Sequence, residues 1–289
     1  AGDDAVIVTG FGDGPLPQEI NEEKFRNFKG NRTGWAENVT VTNCVLSSRS
    51  AGIRVGYGNH PIRNLTFSNI IIYDSNRGIG VFARDDSRVE NVLFSDIVIS
   101  NRIHSGHWWG KGESIHISSI QDTKDGKAGT IDNIRFRNIT AQSEAGIVIY
   151  GTPGSTISNI YLEDIKLRIG KGKYTETYGG NFDLRPSWPL DKALFTHDIP
   201  GLYAGYVKNL TLTGLRIEWE DGMPEFFTSG IDIEHFNGVY LDDIQANPAH
   251  YAEGKPAVLL SNGENAIVRN IRTDMENIPY LMLNVKQVK

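Results

Sequence analysis

Two adjacent carboxylates, Asp3 and Asp4, stand immediately before the apolar run VIVTG at residues 6–10. Neighbouring carboxyl groups can act as general acid and general base when their environments separate their pKa values. The alternative is an acidic stretch of chain that carries no site. Which of the two holds depends on the elements that position the pair.

A Gly-rich segment, RIHSGHWWGKGE at residues 102–113, has the composition of a binding loop. Adjacent Trp residues in a polar loop suit stacking on a sugar ring, whose C–H faces are apolar while its hydroxyls need polar partners. The alternative is that one Trp only covers the end of the core. The His-x-x-His spacing of His104 and His107 lacks a third ligand and a helix, so we predict no metal site. The candidate substrate-binding residues here are His107, Trp108, Trp109, Lys111 and Glu113.

A longer segment, residues 169–206, is rich in Tyr, Trp and Pro and contains Asp183 and His197. Its Arg185 and Lys192 could meet a carboxylate on a substrate, and an Arg side chain does so in bidentate fashion. They could equally pair with acidic residues of the protein itself. We count Arg185 as a candidate substrate-binding residue.

An internal repeat indicates how these segments are held. Most copies read Asn, aliphatic, any residue, apolar, any residue, Asn/Asp/Gly, aliphatic. The copies are ENVTVTNCVL (37–46), IRNLTFSNIII (62–72), VENVLFSDIVI (89–99), IDNIRFRNITA (131–141), ISNIYLEDIKL (157–167), VKNLTLTGLRI (207–217), FNGVYLDDIQA (236–246) and AIVRNIRTDM (266–275). The first Asn recurs at spacings of 26, 27, 42, 26 and 50 residues, so two long insertions interrupt a period near 26.

A second alternating run lies between most copies, as in AGIRVG (51–56), RGIGVF (77–82), ESIHIS (113–118) and AGIVIY (145–150). Alternation of apolar and polar residues is strand periodicity, and strands at a fixed period of 20–30 residues are typical of a β-solenoid. We therefore predict an all-β chain with one domain over 1–289. The expected architecture is a right-handed parallel β-helix of about eight to nine coils, with loop insertions at about 11–35, 102–130 and 169–206. The repeated Asn should occupy turns, where it tolerates the left-handed conformation and can bond to the Asn of the next coil.

The outward positions of the second run predict a binding face. Ile53 and Val55 should point inward, so Arg54 points outward, and parallel stacking then places Arg54, Gly80, His116 and Val148 in one row. Phe82, Ser118 and Tyr150 form the next row, and Gly80 is expected to leave open space. A groove lined by Arg54, Arg84, His116 and Tyr150 and capped by the Trp loop would suit an anionic sugar. The alternative is an ordinary solvated sheet face.

The repeats, together with GDDAVIVTG at 2–10, SAGIRVG at 50–56 and RGIGVFA at 77–83, resemble the polygalacturonase-type glycoside hydrolases of family 28, the pectin hydrolases. The resemblance covers the whole chain as a fold and is specific over about residues 2–118. It implies inverting hydrolysis of galacturonan or rhamnogalacturonan. By that match Asp3 would be the general acid and Asp4 a base. Acid and base in inverting enzymes lie about 6.5–9.5 Å apart, so adjacent residues supply both only if the turn splays their side chains.

The sequence departs from the family pattern at three places. The Asn-Thr-Asp motif that precedes GDD by one coil is not in this chain, which suggests that N-terminal coils are lacking. The Gly-His-Gly position reads Ser50-Ala51-Gly52, and the Arg-Ile-Lys position reads Gly80-Val81-Phe82. We therefore expect a divergent member, and Arg54, Arg84 and His116 are the candidates to replace the missing cations.

Composition limits the classes of function. The net charge of −6 and the lack of a basic block argue against nucleic acid, and no apolar run is long enough to span a bilayer. The predicted partner is a polysaccharide or oligosaccharide, with no cofactor, and the oligomeric state stays open. A secreted or periplasmic location is expected from the substrate class. Two alternatives stay open: a pectate-lyase-like β-elimination with Arg54 or Arg84 as base and calcium near Asp85 and Asp86, and a carbohydrate-binding β-helix without turnover.

Overall fold

The computed structural model describes residues 2–11, 34–250, 256–274 and 279–287. Within these ranges the chain is almost entirely β-structure. The first strands are β1 (Val6–Gly10), β2 (Ala36–Leu46), β3 (Ala51–Gly58), β4 (Ile62–Ser75), β5 (Arg77–Arg84), β6 (Arg88–Asn101), β7 (Ile115–Ile120), β8 (Thr130–Ser143), β9 (Ile147–Tyr150) and β10 (Thr156–Ile169). Those that follow are β11 (Phe182–Asp183), β12 (Leu194–Phe195), β13 (Leu202–Thr213), β14 (Arg216–Trp219), β15 (Ile231–Asp242), β16 (Ile244–Gln245), β17 (Val258–Val268), β18 (Ile271–Arg272) and β19 (Tyr280–Lys286). The helical elements are α1 (Thr175–Tyr178) and a 3-10 turn (Leu190–Lys192).

The strands stack in parallel with alternating connectivity, which confirms the predicted parallel β-helix. One ladder runs through β1, β3, β5, β7, β9, β13, β15, β17 and β19, and we call it the front ladder. A second ladder runs through β2, β4, β6, β8, β10 and onward into β13 to β18. The nine rungs of the front ladder agree with the predicted eight to nine coils.

The repeated Asn residues occupy the corners of the coils, as predicted. Asn38, Asn64, Asn91, Asn133, Asn159 and Asn209 all have φ between 53° and 60°, the left-handed region. Asn91 Nδ2 donates to Asn64 Oδ1 at 3.3 Å, and Asn133 Nδ2 donates to Asn91 Oδ1 at 2.9 Å. Asn159 departs from this pattern because it donates to Asp132 instead, at 2.7 Å. Side-chain amides thus link successive corners where the backbone turns.

Columns of apolar side chains fill the space between the ladders. Ile53 and Val55 lie in register with Ile79 and Val81, and all four are fully buried. The rings of Phe67, Phe94 and Phe136 stack in one column with successive centroids 4.9 Å apart. This spacing is close to the distance between paired strands, so one aromatic ring per coil builds a continuous core.

Two loops cover the middle of the front ladder. Residues 102–114 join β6 to β7, and residues 170–201, which include α1 and the antiparallel pair β11–β12, join β10 to β13. β7 interrupts the predicted second insertion and leaves a short turn at residues 121–129. Of the predicted first insertion at about 11–35, only residues 11, 34 and 35 lie inside the described ranges. In those ranges, no helix has the length and apolar character needed to cross a membrane.

Candidate active site

A pocket of about 360 Å³ lies at the end of the front ladder where β1 and β3 pair. Six of the residues that line it were predicted from the sequence: Asp3, Asp4, Arg54, His107, Trp108 and Trp109. Ser50, Tyr57 and Arg77 complete the lining. The structure therefore brings the acidic pair, the outward Arg and the Trp loop together, although the loop is a hundred residues away in sequence.

Asp4 is fixed by two donors from the neighbouring coil. Its Oδ1 accepts the backbone N–H of Ala51 at 2.9 Å, and its Oδ2 accepts Nε of Arg54 in an ion pair. Only 7% of the Asp4 side chain is exposed. These contacts orient the carboxylate toward β3 at the edge of the pocket.

Asp3 has a different environment from its neighbour. It is exposed, and its Oδ1 accepts the backbone N–H of Asp4 at 2.8 Å. Its own carbonyl accepts a hydrogen bond from Ser48 Oγ. Among the described residues, no cation forms a salt bridge with Asp3. The two carboxylates therefore differ in exposure and in partners, as an acid and base pair requires.

Tyr57 is a pocket residue that the sequence analysis missed. Alternation from Ile53 and Val55 predicts that Tyr57 points inward, but Gly56 adopts φ of 109° and breaks the alternation. The Arg54 guanidinium lies 4.5 Å from the Tyr57 ring centroid and donates to the Gly56 carbonyl at 2.6 Å. The Tyr57 hydroxyl is buried and has no hydrogen-bond partner among the described residues. Burial raises its pKa, against the opposing charges of nearby guanidinium groups.

The Trp loop forms one wall of the pocket. The rings of His107 and Trp108 lie 4.5 Å apart, and Trp109 meets Tyr57 edge-on at 6.4 Å. Both Trp side chains are half-buried, so each keeps surface open to a ligand. Asn76, which the sequence analysis also missed, donates to the carbonyls of Trp109 and Gly110 at 3.1 and 3.2 Å. A short side chain on the coil below thus fixes the backbone of the loop.

A buried ionic network supports the loop from beneath. Arg77 Nε donates to Glu113 Oε1 at 2.5 Å, and the same oxygen is 2.9 Å from Nδ1 of His116. Burial disfavours the Glu113 carboxylate, but the charge of Arg77 and the hydrogen bond from His116 outweigh it and lower the pKa of Glu113 to about 2. Burial, with the charge of Arg77, lowers the pKa of His116 to about 4.

The prediction of an open groove along the front ladder is wrong. The register does place Arg54, Gly80, His116 and Val148 in one row. However, Gly80, His116 and Val148 are buried, and the Phe82 ring occupies the space beside Gly80. Glu113 and His116, predicted to touch substrate, are at most 1% exposed and contact Arg77 and each other instead.

Arg84 was predicted to face the groove, and the structure buries it under the long loop. Its Nε donates to the Pro186 carbonyl at 2.8 Å, and its other nitrogens donate to the Ser118 and Leu184 carbonyls and to Ser118 Oγ. Burial lowers the pKa of Arg84 to about 10. Arg84 thus ties the loop to the ladder and is out of reach of a substrate.

Three other predicted residues lie outside the pocket lining. Arg185 forms a bidentate pair with the buried Asp183 at 2.7 and 2.9 Å, which is the intramolecular alternative considered above. The half-buried Lys111 ammonium lies 5.8 Å from the Tyr178 ring centroid. Tyr150 lines a different cavity, further along the front ladder.

Neither a comparison with protein-family models nor a search of curated proteins found a match. Among the described residues, no group of three or more His, Cys, Asp or Glu side chains is arranged to hold a metal ion. The pocket instead offers two carboxylates, two arginines, a tyrosine and an aromatic wall.

Proposed function

We propose that the protein is a glycoside hydrolase that cleaves an acidic polysaccharide of the pectin class, galacturonan or rhamnogalacturonan, with inversion at the anomeric carbon. The observation that carries the proposal is the pocket in which Asp3, Asp4 and Arg54 share a lining with Trp108 and Trp109. The resemblance of residues 2–118 to polygalacturonase-type enzymes supports the same activity. Because such polymers are too large to enter a cell, export of the protein is part of the proposal.

The two carboxylates take different roles. Asp3, without an ion pair among the described residues, donates a proton to the glycosidic oxygen as the bond from C1 to that oxygen breaks. Asp4, held by Arg54 and the Ala51 amide, accepts a proton from the water whose oxygen bonds to C1. Proton exchange with solvent then restores both groups.

The aromatic and cationic groups of the pocket account for the substrate class. Half-buried Trp108 and Trp109 present ring faces that suit the C–H face of a sugar. Arg54 has one nitrogen, Nη2, with no hydrogen-bond partner among the described residues, and the Arg49 guanidinium lies 5.8 Å from the Trp108 ring centroid. A uronate carboxylate beside the stacked ring would therefore meet positive charge.

The lyase alternative has less support. It requires an Arg or Lys that can take a proton beside a carboxylate, and Arg84 is buried with its donors on carbonyl oxygens. Arg54 is in an ion pair with Asp4, so its guanidinium already has a partner in the protein. Asp85, proposed for calcium, accepts the backbone N–H of Asp122 at 2.8 Å.

Incubation with galacturonan and rhamnogalacturonan tests the proposal. A hydrolase produces new reducing ends without ultraviolet absorbance, whereas a lyase produces an unsaturated product that absorbs in the ultraviolet. Reducing ends without absorbance are the expected result. Binding of the polymers without any product would overturn the proposal in favour of a carbohydrate-binding β-helix.

A further inference from the structure

A second cavity, of about 490 Å³, opens on the front ladder over β9, β13 and β15. It shares no lining residue with the first pocket. Tyr203 of this cavity lies five strands along the ladder from β1, or about 24 Å at the usual strand spacing. Six of its fourteen lining residues carry aromatic rings: Tyr150, Trp188, Phe195, Tyr203, Tyr206 and His235.

The aromatic rings are already arranged against one another. Tyr150 and Phe195 have centroids 4.8 Å apart, and Phe195 and Tyr203 are 5.5 Å apart. Trp188 stands at the rim with 44% of its surface exposed, and its backbone N–H donates to the Gln121 carbonyl at 2.8 Å. The main chain at Trp188 is thus anchored while its ring stays exposed.

Acceptor groups line the same cavity. Glu234 Oε1 accepts the Tyr203 hydroxyl at 2.7 Å, and its side chain remains 29% exposed. Asp232, two residues earlier on β15 and outside the cavity lining, has its Oδ2 3.7 Å from His197 Nε2. Burial raises the pKa of Asp232 to about 6, and the negative charges of Glu234 and Asp198 act in the same direction. The charge of His197 has the opposite effect and lowers this pKa. The negative charge near the cavity is therefore partly compensated by the protein itself.

Ser187 supplies an independent sign of a ligand. It lines the cavity and is 7% exposed, yet its buried Oγ has no hydrogen-bond partner among the described residues. A buried hydroxyl without a partner is costly, so a group that bonds to it on binding would be favoured.

We propose that this cavity is a second saccharide site that binds neutral sugar residues. Exposed aromatic rings bind the C–H faces of a sugar, and the carboxylate of Glu234 and the hydroxyl of Ser187 are partners for its hydroxyls. The lining also contains the exposed Lys192, so a uronate would face one ammonium against the carboxylates of Glu234 and the nearby Asp232, which gives its negative charge no net attraction. A cationic ligand would also suit aromatic rings and acids, but Tyr203 and His197 already engage those acids, which favours a neutral ligand.

Calorimetric titration of the full chain tests the site with neutral tetrasaccharides of glucose, galactose and arabinose, and with tetragalacturonate and choline as comparison ligands. We expect at least one neutral tetrasaccharide to bind. Trp188→Ala should weaken that binding about tenfold, and Glu234→Gln about fivefold. Matched controls are Trp35→Ala, at a ring 47% exposed elsewhere on the surface, and Glu218→Gln on exposed β14. Both controls should leave the affinity unchanged.

The outcomes separate this proposal from the proposed function. Loss of neutral-sugar binding in Asp4→Asn would place the ligand in the first pocket and overturn the second site. Binding of choline but of no neutral tetrasaccharide, or equal weakening by Trp188→Ala and Trp35→Ala, would also overturn it. Neutral-sugar binding that persists in a protein that releases no product from acidic polymers would contradict the hydrolase alone.

Discussion

The guanidinium of Arg54 is ion-paired with the carboxylate of Asp4, which joins the start of β1 to the outward face of β3 in the next coil. The same carboxylate accepts the Ala51 amide at 2.9 Å. The parallel stacking of β1 on β3 fixes where Ala51 and Arg54 lie relative to Asp4. The orientation of the Asp4 carboxylate therefore depends on the register between these two strands. The coils of the β-helix therefore act as the positioning device for the candidate catalytic pair.

The Trp loop should control substrate affinity more than the chemical step. Trp108→Ala removes a half-buried ring from the pocket wall and is expected to raise KM about tenfold with a smaller change in kcat. Trp35→Ala is the matched control, because its exposed ring lies over Arg63 with centroid distance 4.8 Å, away from the pocket. Steady-state kinetics on galacturonan measures both. An equal rise in KM for the two variants would show that the loop ring has no special role.

The buried ion pair of Arg77 and Glu113 should contribute more to the stability of the protein than an ion pair at the surface. Both side chains are at most 2% exposed, so Glu113→Gln leaves a buried guanidinium without its counter-charge and should lower the free energy of unfolding by about 3–5 kcal/mol. Glu37→Gln is the comparison, because it removes an ion pair with Arg63 in which both side chains are about one-third exposed. It should lower the free energy of unfolding by less than about 1 kcal/mol. Urea unfolding of the two variants compares them. Similar losses would mean that the network is not the support inferred here.

The pH dependence of stability should reflect two buried groups, His116 and Glu113, whose pKa values are both lowered by folding. The pKa of a His in an unfolded chain is about 6.5, and folding lowers the pKa of His116 to about 4. Between these two pH values the unfolded chain therefore binds more protons than the folded chain. Stability is then full above about pH 6.5 and is lost as the pH falls toward about 4. Glu113, with its pKa lowered to about 2, adds a further loss below about pH 4.5.

Asp232 acts in the other direction. Because folding raises its pKa to about 6, the folded chain binds more protons between about pH 4 and 6, and stability falls as the pH rises through that window. Asp232→Asn should therefore steepen the gain in unfolding free energy between about pH 4 and 6.5. Urea unfolding at a series of pH values measures the slope. A flatter slope in the variant, or a protonated His116 by NMR near about pH 5.5, would contradict the assignment.

The corner Asn residues should tolerate glycine better than alanine. Asn91 has φ of 57°, which costs an L-residue such as Ala roughly 1–2 kcal/mol and costs Gly nothing comparable. Asn91→Ala and Asn91→Gly both lose the bonds to Asn64 and Asn133, so the bonds cancel in the comparison. We expect the Ala variant to be less stable by about 1 kcal/mol in thermal or urea unfolding. A more stable Ala variant would mean that the corner relaxes out of the left-handed region.

The repeat made the fold predictable. A fixed period and strict alternation specify which residues point inward, and the observed pairing of Arg54 with Gly80 and of Gly80 with His116 follows from counting along the sequence. The corner conformation followed from the chemistry of Asn. These are local, periodic properties, which a single sequence contains.

The covering of the front ladder was not predictable in the same way. Arg84 and Glu113 are polar residues at outward or loop positions, and the pattern alone predicted that they face an open groove and contact substrate. Arg84 is buried because residues 182–187 return across the ladder and offer it the carbonyls of Leu184 and Pro186, a contact between positions a hundred residues apart, and Glu113 is buried against Arg77 and His116. Tyr57 was missed because one glycine with positive φ breaks the alternation.

The most direct test of the central claim is the rate at which the protein releases reducing ends from galacturonan or rhamnogalacturonan, compared with its Asp3→Asn and Asp4→Asn variants. Glu218→Gln, at an exposed acid on β14 that lines neither cavity, is the control. The account predicts a loss of at least about a hundredfold in kcat for each of the first two variants, with little change in the third. Unchanged product release by Asp3→Asn and Asp4→Asn would contradict it.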